Sequence, residues 1–205
     1  MKPYIITIAR QYGSGGKTVG KMLAERLGIP FYNREIITMA SEDSGVNAML
    51  FSDERLKSDF IARLHARYRG DMPVPNDSSK SYLRDEALFS YQVKIIERLA
   101  DQGPCVLIGR CADYILSDMK PLRMFIYADM DSRVRRCLDR EDDGENMSVK
   151  EMQRTIRTID RGRAKYYEFY TGMRWGDKVN YDLCINTTNA NIKELAPYLA
   201  KGLSI

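Results

Sequence analysis

The sequence predicts an α/β protein whose core is a five-stranded parallel sheet with helices on both faces. Short apolar segments rich in β-branched residues alternate with amphipathic helical segments, and a glycine-rich loop follows the first of them. This alternation is typical of parallel sheets, because a helix that covers one face connects each strand to the next. The predicted strands are residues 4–9, 29–32, 105–108, 122–128 and 182–186.

Helical segments separate these strands. In the first, Val19 and Leu23 lie at helical spacing, and Gly28 follows as the left-handed residue that commonly ends a helix. Ser148 and Glu151 have the spacing of a capping box, which predicts the start of another helix. The predicted helices are residues 17–27, 34–41, 85–102, 132–140, 148–167 and 190–201.

The composition is that of a globular chain with one core and room for inserts. Of 205 residues, 44% are hydrophobic and 29% are charged, and the formal net charge is +4. This small excess fits a small anionic ligand better than a nucleic acid duplex, which attracts dense local clusters of basic residues. The single histidine, His65, excludes metal sites built from several histidines.

The cysteines and the hydropathy pattern indicate in which cellular compartment we expect the protein. No two of the four cysteines form a C-x-x-C pair, which argues against a structural zinc site; they are Cys105, Cys111, Cys137 and Cys184. Free thiols indicate a reducing compartment. No apolar run approaches the roughly 20 residues of a membrane span, and Arg10 comes too early for a signal peptide. We therefore expect a cytoplasmic protein with no membrane partner.

The strongest motif is the glycine loop between the first strand and the first helix. Its glycines let successive backbone N–H groups converge on one anion, and the helix that begins near Lys17 adds its positive end. Lys17 is placed to reach the outer phosphates of a nucleotide, and the Thr18 hydroxyl is placed to bind Mg²⁺. The P-loop pattern has glycine where this chain has Gln11. The predicted phosphate-binding residues are Gly13, Ser14, Gly15, Gly16, Lys17 and Thr18.

Arg110 stands where phosphoryl transfer needs positive charge. It comes directly after the predicted strand 105–108, and ligands of parallel sheets bind at the carboxyl ends of the strands. A plain surface ion pair is the alternative. The basic segment 133–140 is a candidate for nucleic-acid contact, but the acidic residues 141–143 that follow it oppose a phosphate track.

A second group of arginines lies in the predicted helix 148–167. Arg157 and Arg161 are four residues apart and therefore share one helix face, and Arg163 lies close by. Asp160 is placed to hold Arg157 or Arg163. A lid over nucleotide phosphates is one interpretation of this helix, and a solvated charged face is the other.

Four segments together resemble the cytidylate kinase-like family of P-loop proteins, which are relatives of the nucleoside monophosphate kinases. They extend over nearly the whole chain and comprise residues 8–16 (IARQYGSGG), 29–33 (IPFYN), 108–116 (IGRCADYIL) and 160–186, which includes DRGR, YY, WGD and YDLCIN. The resemblance implies a P-loop NTP hydrolase-type core of three layers that carries two additions. These are a nucleoside-monophosphate-binding insert at 42–84 and a lid at 139–168, around a core of residues 1–41, 85–138 and 169–205.

The resemblance also implies roles for individual residues. The glycine loop would bind ATP, with Mg²⁺ at Thr18, and Arg110 would hold the acceptor phosphate. True cytidylate kinases place an aspartate directly after the Gly-Arg pair, whereas this chain has Cys111 there and Asp113 two positions later. Asp113 is therefore the substrate-binding candidate beside Arg110. The lid arginines would be Arg157, Arg161 and Arg163, and the residues near adenine would be Asn186 and Thr187.

We therefore predict an ATP- and Mg²⁺-dependent kinase whose favoured acceptor is a CMP-like nucleoside monophosphate. Such an acceptor is already a charged nucleophile, so catalysis rests on positioning and charge neutralisation by Lys17, Arg110 and the lid arginines. The alternative is a nucleotide-binding sensor or regulator with little or no turnover. Gln11, Cys111 and the uncertain metal-binding aspartate motivate it, because Asp129 is the nearest candidate and is equally placed to cap a helix. The sequence leaves monomer and homo-oligomer open.

Overall fold

One parallel sheet runs through the described part of the chain. The computed structural model describes residues 4–33, 35–44, 78–139 and 147–203. Its strands are β1 (Ile5–Arg10), β2 (Phe31–Tyr32), β3 (Cys105–Ile108), β4 (Leu122–Tyr127) and β5 (Leu183–Asn186). They lie in the order β2-β3-β1-β4-β5 and every pairing is parallel, which confirms the predicted fold class.

Helices connect these strands and cover the sheet. The α-helices of the described ranges are α1 (Gly16–Leu27), α2 (Glu35–Ser44), α3 (Ser78–Asp101), α4 (Ala112–Ile115), α5 (Met130–Leu138), α6 (Val149–Thr171) and α7 (Ile192–Leu203). α3 begins at Ser78 rather than at residue 85. The sequence does not predict this earlier start, because the first turns of the helix are polar and carry no apolar stripe. α6 continues beyond residue 167 to Gly172, a left-handed C-cap with φ 68°. The short helix α4 was not predicted.

β1 is the central strand, and its side chains alternate between the two faces of the sheet. Ile5 packs with Ile95 of α3 on one face. Ile8 packs with Leu23 of α1 and Ala200 of α7 on the other. Because both faces are covered, the strand has the continuous apolar sequence from which it was predicted.

Helix α6 packs against the rest of the protein in both of its halves. The predicted capping box is confirmed, since the Ser148 side chain accepts from the Glu151 N–H while the Glu151 side chain accepts from the Ser148 N–H. Ile156 in its first half packs against α5, and Tyr167 in its second half packs against Cys111. The helix therefore joins the region of the glycine loop to the region after β3.

Part of the predicted organisation lies outside the described residues. This applies to 45–77, most of the predicted insert 42–84, to 140–146 of the predicted lid 139–168, and to His65. The division into core, insert and lid therefore stays a prediction. Within the ranges that the structure describes, no helix has the length and apolar character that crossing a membrane requires.

Candidate active site

The glycine loop forms a tight turn between β1 and α1. The Gln11 carbonyl accepts hydrogen bonds from the Ser14 N–H at 3.3 Å and from Ser14 Oγ at 2.8 Å, which closes the turn. Gly13 and Gly15 have φ values of 77° and 81°, in the left-handed region that favours glycine. A Cβ on Gly13 would lie 2.8 Å from the Arg133 carbonyl oxygen, so α5 packs directly against the loop.

Gln11, which stands in place of the P-loop glycine, has a structural role. Its side-chain Oε1 accepts from the Ala128 N–H at 3.2 Å, and its own N–H donates to the Ile126 carbonyl at 2.9 Å. These bonds fasten the entry of the loop to the end of β4. The departure from the pattern therefore leaves the loop closed and anchored.

The segment after β5 supports the loop. Thr187 is fully buried, and its Oγ1 donates to the Ser14 carbonyl at 2.7 Å and accepts from Arg136 Nη1 at 3.3 Å. The Arg136 guanidinium also donates to the Thr187 carbonyl. The side chain of Asn186 accepts from the Thr188 N–H at 3.0 Å. Thr187 is thus a support of the loop, and the adenine contact of Asn186 and Thr187 stays a prediction.

Lys17 and Thr18 open α1 directly after the loop. Gly15 is the N-cap and supplies no side-chain cap, so backbone N–H groups of the first turn are suited to an anion. Lys17 is exposed and Thr18 is half-buried. No group of three His, Cys, Asp or Glu suited to a metal occurs in the described ranges. The Thr18 hydroxyl as a magnesium ligand stays a prediction.

A left-handed turn ends β3. Gly109, Arg110 and Cys111 have φ values of 69°, 61° and 56°. Two successive non-glycine residues in this region are strained, and such strain is concentrated at functional sites. Backbone bonds fix the turn, since Gly109 N–H donates to the Ile8 carbonyl and Ala112 N–H donates to the Gly109 carbonyl.

A small cleft is lined by the end of β1 and by this turn. Ile8 pairs with Ile108, so β1 and β3 end at the same edge of the sheet and bring Arg10 and Arg110 together there. Arg163 of α6 lines the same cleft. Three guanidinium groups around one cleft favour an anionic ligand. The aromatic part of the described lining consists of Tyr166, Tyr167 and Trp175.

Asp113, the predicted substrate-binding residue, lines this cleft as well. It is 8% exposed, and Oδ2 accepts from the Tyr167 hydroxyl at 2.7 Å. Burial raises the pKa of the Asp113 carboxyl, although the hydrogen bond from Tyr167 acts in the opposite direction. Burial and the neighbouring carboxylate raise the pKa of Tyr167, so its hydroxyl stays protonated as the donor.

The predicted lid arginines lie in two different surroundings. Arg163 lines the cleft, donates to the Arg10 carbonyl at 3.0 Å and lies 5.6 Å from the centre of the Tyr12 ring. Arg157 and Arg161 are exposed on α6 and are not part of the described lining. The structure thus brings Arg163 to the cleft, and the lid role of the other two stays a prediction.

Asp160 connects α6 to the glycine loop. Its carboxylate accepts from the Tyr12 N–H at 2.7 Å and from Arg133 Nη1 at 2.5 Å, and it lies 3.6 Å from Arg163 Nη1. Of the two partners expected from the sequence, Arg157 and Arg163, the second is found, and Arg133 is an additional one. Burial raises the pKa of Asp160, against the opposing effect of the Tyr12 N–H and the two guanidinium groups.

Two arginines of the basic segment 133–140 are used inside the protein. Arg133 is 6% exposed and pairs with Asp160, and Arg136 holds the segment after β5. Asp129, the candidate metal-binding aspartate, is the N-cap of α5, where Oδ1 accepts from the Ser132 N–H at 2.7 Å. That hydrogen bond lowers the pKa of Asp129.

The cleft contains one arginine to which the sequence reasoning gave no role. Arg10 stands at the carboxyl end of a strand, which is the criterion that selects Arg110, yet the sequence analysis assigns it no role in the site. No local signal pointed to Arg133, because its partner Asp160 is 27 residues away in the chain.

A strand, a glycine loop that ends in Gly-Lys-Thr and a helix, joined to a parallel sheet, define the class of protein: an α/β protein of the P-loop type. The chain belongs to the cytidylate kinase-like family, whose sequence pattern matches residues 5–189. A cytidylate kinase from Methanobrevibacter smithii is 23% identical over 202 residues, 98% of this chain and 99% of that protein.

Solved structures agree with this class. An uncharacterized protein from Eubacterium ventriosum is 26% identical, with a TM-score of 0.67 and 98% of each chain covered. A shikimate kinase from Bacteroides thetaiotaomicron shares the fold with a TM-score of 0.56 at 14% identity, with 98% of this chain and 99% of that chain covered. The family supports a kinase that acts on a nucleotide or another small molecule, and the solved structures support the fold.

Proposed function

We propose that the protein transfers the γ-phosphoryl group of ATP to a nucleoside monophosphate, with a CMP-like nucleotide as the favoured acceptor. The observation that carries the proposal is the arginine-lined cleft at the end of β1, the strand that the glycine loop directly follows. A donor phosphate on the loop and an acceptor phosphate in the cleft would be neighbours. Arginine suits both, because its planar fork holds two phosphate oxygens at once.

The donor side rests on the loop and the first turn of α1. Backbone N–H groups and Lys17 would bind the phosphates of ATP, and Thr18 would bind the magnesium ion. When bound, the metal ion would neutralise charge on the donor phosphates. Gln11, Thr187 and Asp160 hold the loop through hydrogen bonds within the protein. The loop is therefore shaped for a phosphate before one arrives.

The acceptor side rests on Arg110 and Arg163, with Asp113 as the neighbouring carboxyl. A phosphate acceptor is favoured over a hydroxyl acceptor because the cleft is lined by more guanidinium than carboxyl groups. Asp113 already accepts a hydrogen bond from Tyr167, and its raised pKa reflects its burial. We therefore assign Asp113 to positioning of the acceptor and to no proton transfer.

An acceptor screen tests the proposal. Purified protein is incubated with MgATP and single candidates, with CMP, dCMP and UMP first, then other nucleoside monophosphates, shikimate and gluconate, and products are separated by chromatography. We expect a nucleoside diphosphate from at least one pyrimidine monophosphate. Transfer to shikimate or gluconate alone would contradict a phosphate acceptor.

The same screen addresses the alternative of a nucleotide sensor. Tight binding of ATP, measured by calorimetry, with no product from any acceptor would favour a protein that binds nucleotide without turnover. Lys17→Ala is the control for both readings, since it removes the ammonium group from an exposed position of the first turn of α1. We expect this substitution to weaken ATP binding and to abolish transfer together.

A further inference from the structure

We propose that Arg10 is a catalytic residue that binds the acceptor phosphate where it meets the phosphates held by the glycine loop. The inference rests on the proposed function, because it assigns Arg10 to the phosphates of that reaction. Arg10 is the last residue of β1, the central strand, and the glycine loop begins directly after it. Its side chain therefore starts at the carboxyl edge of the sheet, where ligands of this fold class bind.

Two glycines make room for the Arg10 side chain. A Cβ on Gly16, in the first turn of α1, would lie 2.6 Å from the Arg10 Cβ. A Cβ on Gly109, in the turn that carries Arg110, would overlap Arg10 Nη1. The side chain thus begins against the glycine loop and ends over the turn after β3, so it spans the interval between the donor and acceptor sites.

The backbone of Arg10 is held in place from α6. Arg163 Nη1 donates to the Arg10 carbonyl at 3.0 Å, and Asp160 on the same helix accepts from the N–H of Tyr12, two residues along the chain. Arg10, Arg110 and Arg163 line the same cleft, one from each of three elements. An arginine that is held at its backbone and whose tip lies over a glycine is suited to contact with a ligand in the cleft.

The chemistry of the step requires charge at this place. One oxygen of the acceptor phosphate forms a bond to the terminal phosphorus of ATP, and the bond from that phosphorus to the bridging oxygen breaks. ADP leaves with the electron pair of the broken bond, and no proton is taken from a dianionic acceptor. Negative charge is shared between the two phosphates during transfer, and a guanidinium between them stabilises that state more than the separate reactants.

The test compares Arg10→Gln and Arg10→Lys with the wild type and with Arg26→Gln. Arg26 is exposed in the last turn of α1 and serves as the matched control. We expect Arg10→Gln to lower kcat/KM for the acceptor by about 10²–10³-fold while the Kd for MgATP changes by less than about threefold. Arg10→Lys keeps the charge without the fork and should lose less. The lysine side chain keeps most of the aliphatic stem of arginine, so Arg10→Lys remains informative if Arg10→Gln does not fold.

Binding to a nucleoside monophosphate and to its nucleoside, measured by calorimetry, separates this inference from the proposed function. The assignment is supported if the wild type binds the phosphorylated ligand more tightly than the nucleoside and Arg10→Gln abolishes this preference. If transfer is then absent with every acceptor, the proposed function and the catalytic part of the assignment fail, while phosphate binding by Arg10 stands. If the wild type transfers the phosphoryl group and Arg10→Gln transfers it equally well, the assignment is overturned and the proposed function stands. A wild type with no preference for the phosphorylated ligand overturns the assignment as well.

Discussion

Asp160→Asn is expected to destabilise the protein by about 3 kcal/mol, because it removes the charge of a buried ion pair. The side chains of Arg133 and Asp160 are 8% and 14% exposed, so solvent screens the pair weakly. Loss of one partner leaves the Arg133 guanidinium buried without its carboxylate, and Arg163 loses a neighbouring charge as well. The amide oxygen of asparagine can still accept from the Tyr12 N–H, so the variant isolates the charge.

Urea unfolding followed by circular dichroism measures this effect. With a slope of about 2 kcal/mol per molar, a loss of about 3 kcal/mol moves the midpoint down by about 1.5 M. Arg133→Met completes a double-mutant cycle, and the double variant should be more stable than the sum of the single losses by about 1–3 kcal/mol. Glu25→Gln breaks the exposed pair between Lys21 and Glu25 and should stay within about 0.5 kcal/mol of the wild type. A loss at Asp160 as small as that of this control, or additive losses in the cycle, would refute the reasoning.

Three further predictions concern the loop and the cleft. Lys17→Ala should lower kcat/KM for ATP by about 10²–10³-fold and leave the urea midpoint unchanged, because Lys17 is exposed; unchanged turnover would exclude the proposed mechanism. Thr187→Val should cost about 1–3 kcal/mol in urea unfolding and weaken ATP binding, because it leaves the Ser14 carbonyl without its 2.7 Å donor; valine is close in shape, so an unchanged midpoint would contradict the support role. Burial raises the pKa of Asp113 in the folded state above its unfolded value of about 3.9, so the folded protein binds the proton more tightly. The free energy of unfolding of the wild type relative to Asp113→Asn should therefore fall as the pH rises above about 4, and a difference that grows with pH would contradict the direction.

The fold was predictable because each of its signals is local. Apolar runs of β-branched residues identify strands that are buried on both faces, and Ile5–Arg10 shows the alternation of faces that such a run allows. The capping residues Ser148 and Glu151 identify a helix start within four positions of the chain. The start of α3 was missed because its first turns are polar, so no periodic pattern marks them. A helix boundary that no local pattern marks is therefore the part of the fold that the sequence does not predict.

The site was predictable to a smaller extent, because its residues are brought together by the sheet. The glycine loop is one continuous motif, and Arg110 could be selected from its position after a strand. Arg133 and Asp160 form one buried pair from two helices, and nothing in either segment identifies the other. Arg163 was selected as a lid residue, yet its contacts are with Arg10 and Asp160 at the loop. Long-range pairing of charged groups is thus the information that a single sequence does not contain.

Helix α6 contacts both the glycine loop and the cleft. Asp160 and Arg163 lie three residues apart on it and therefore on neighbouring positions of one face, and the first holds the loop while the second lines the cleft. A shift of this helix relative to β1 would move both groups together, because Arg163 also donates to the Arg10 carbonyl. The pair Arg133–Asp160 thus has a consequence beyond stability. In the proposed reaction, its loss should disturb the spacing between the donor and acceptor phosphates, because transfer that relies on positioning is sensitive to displacements of this kind.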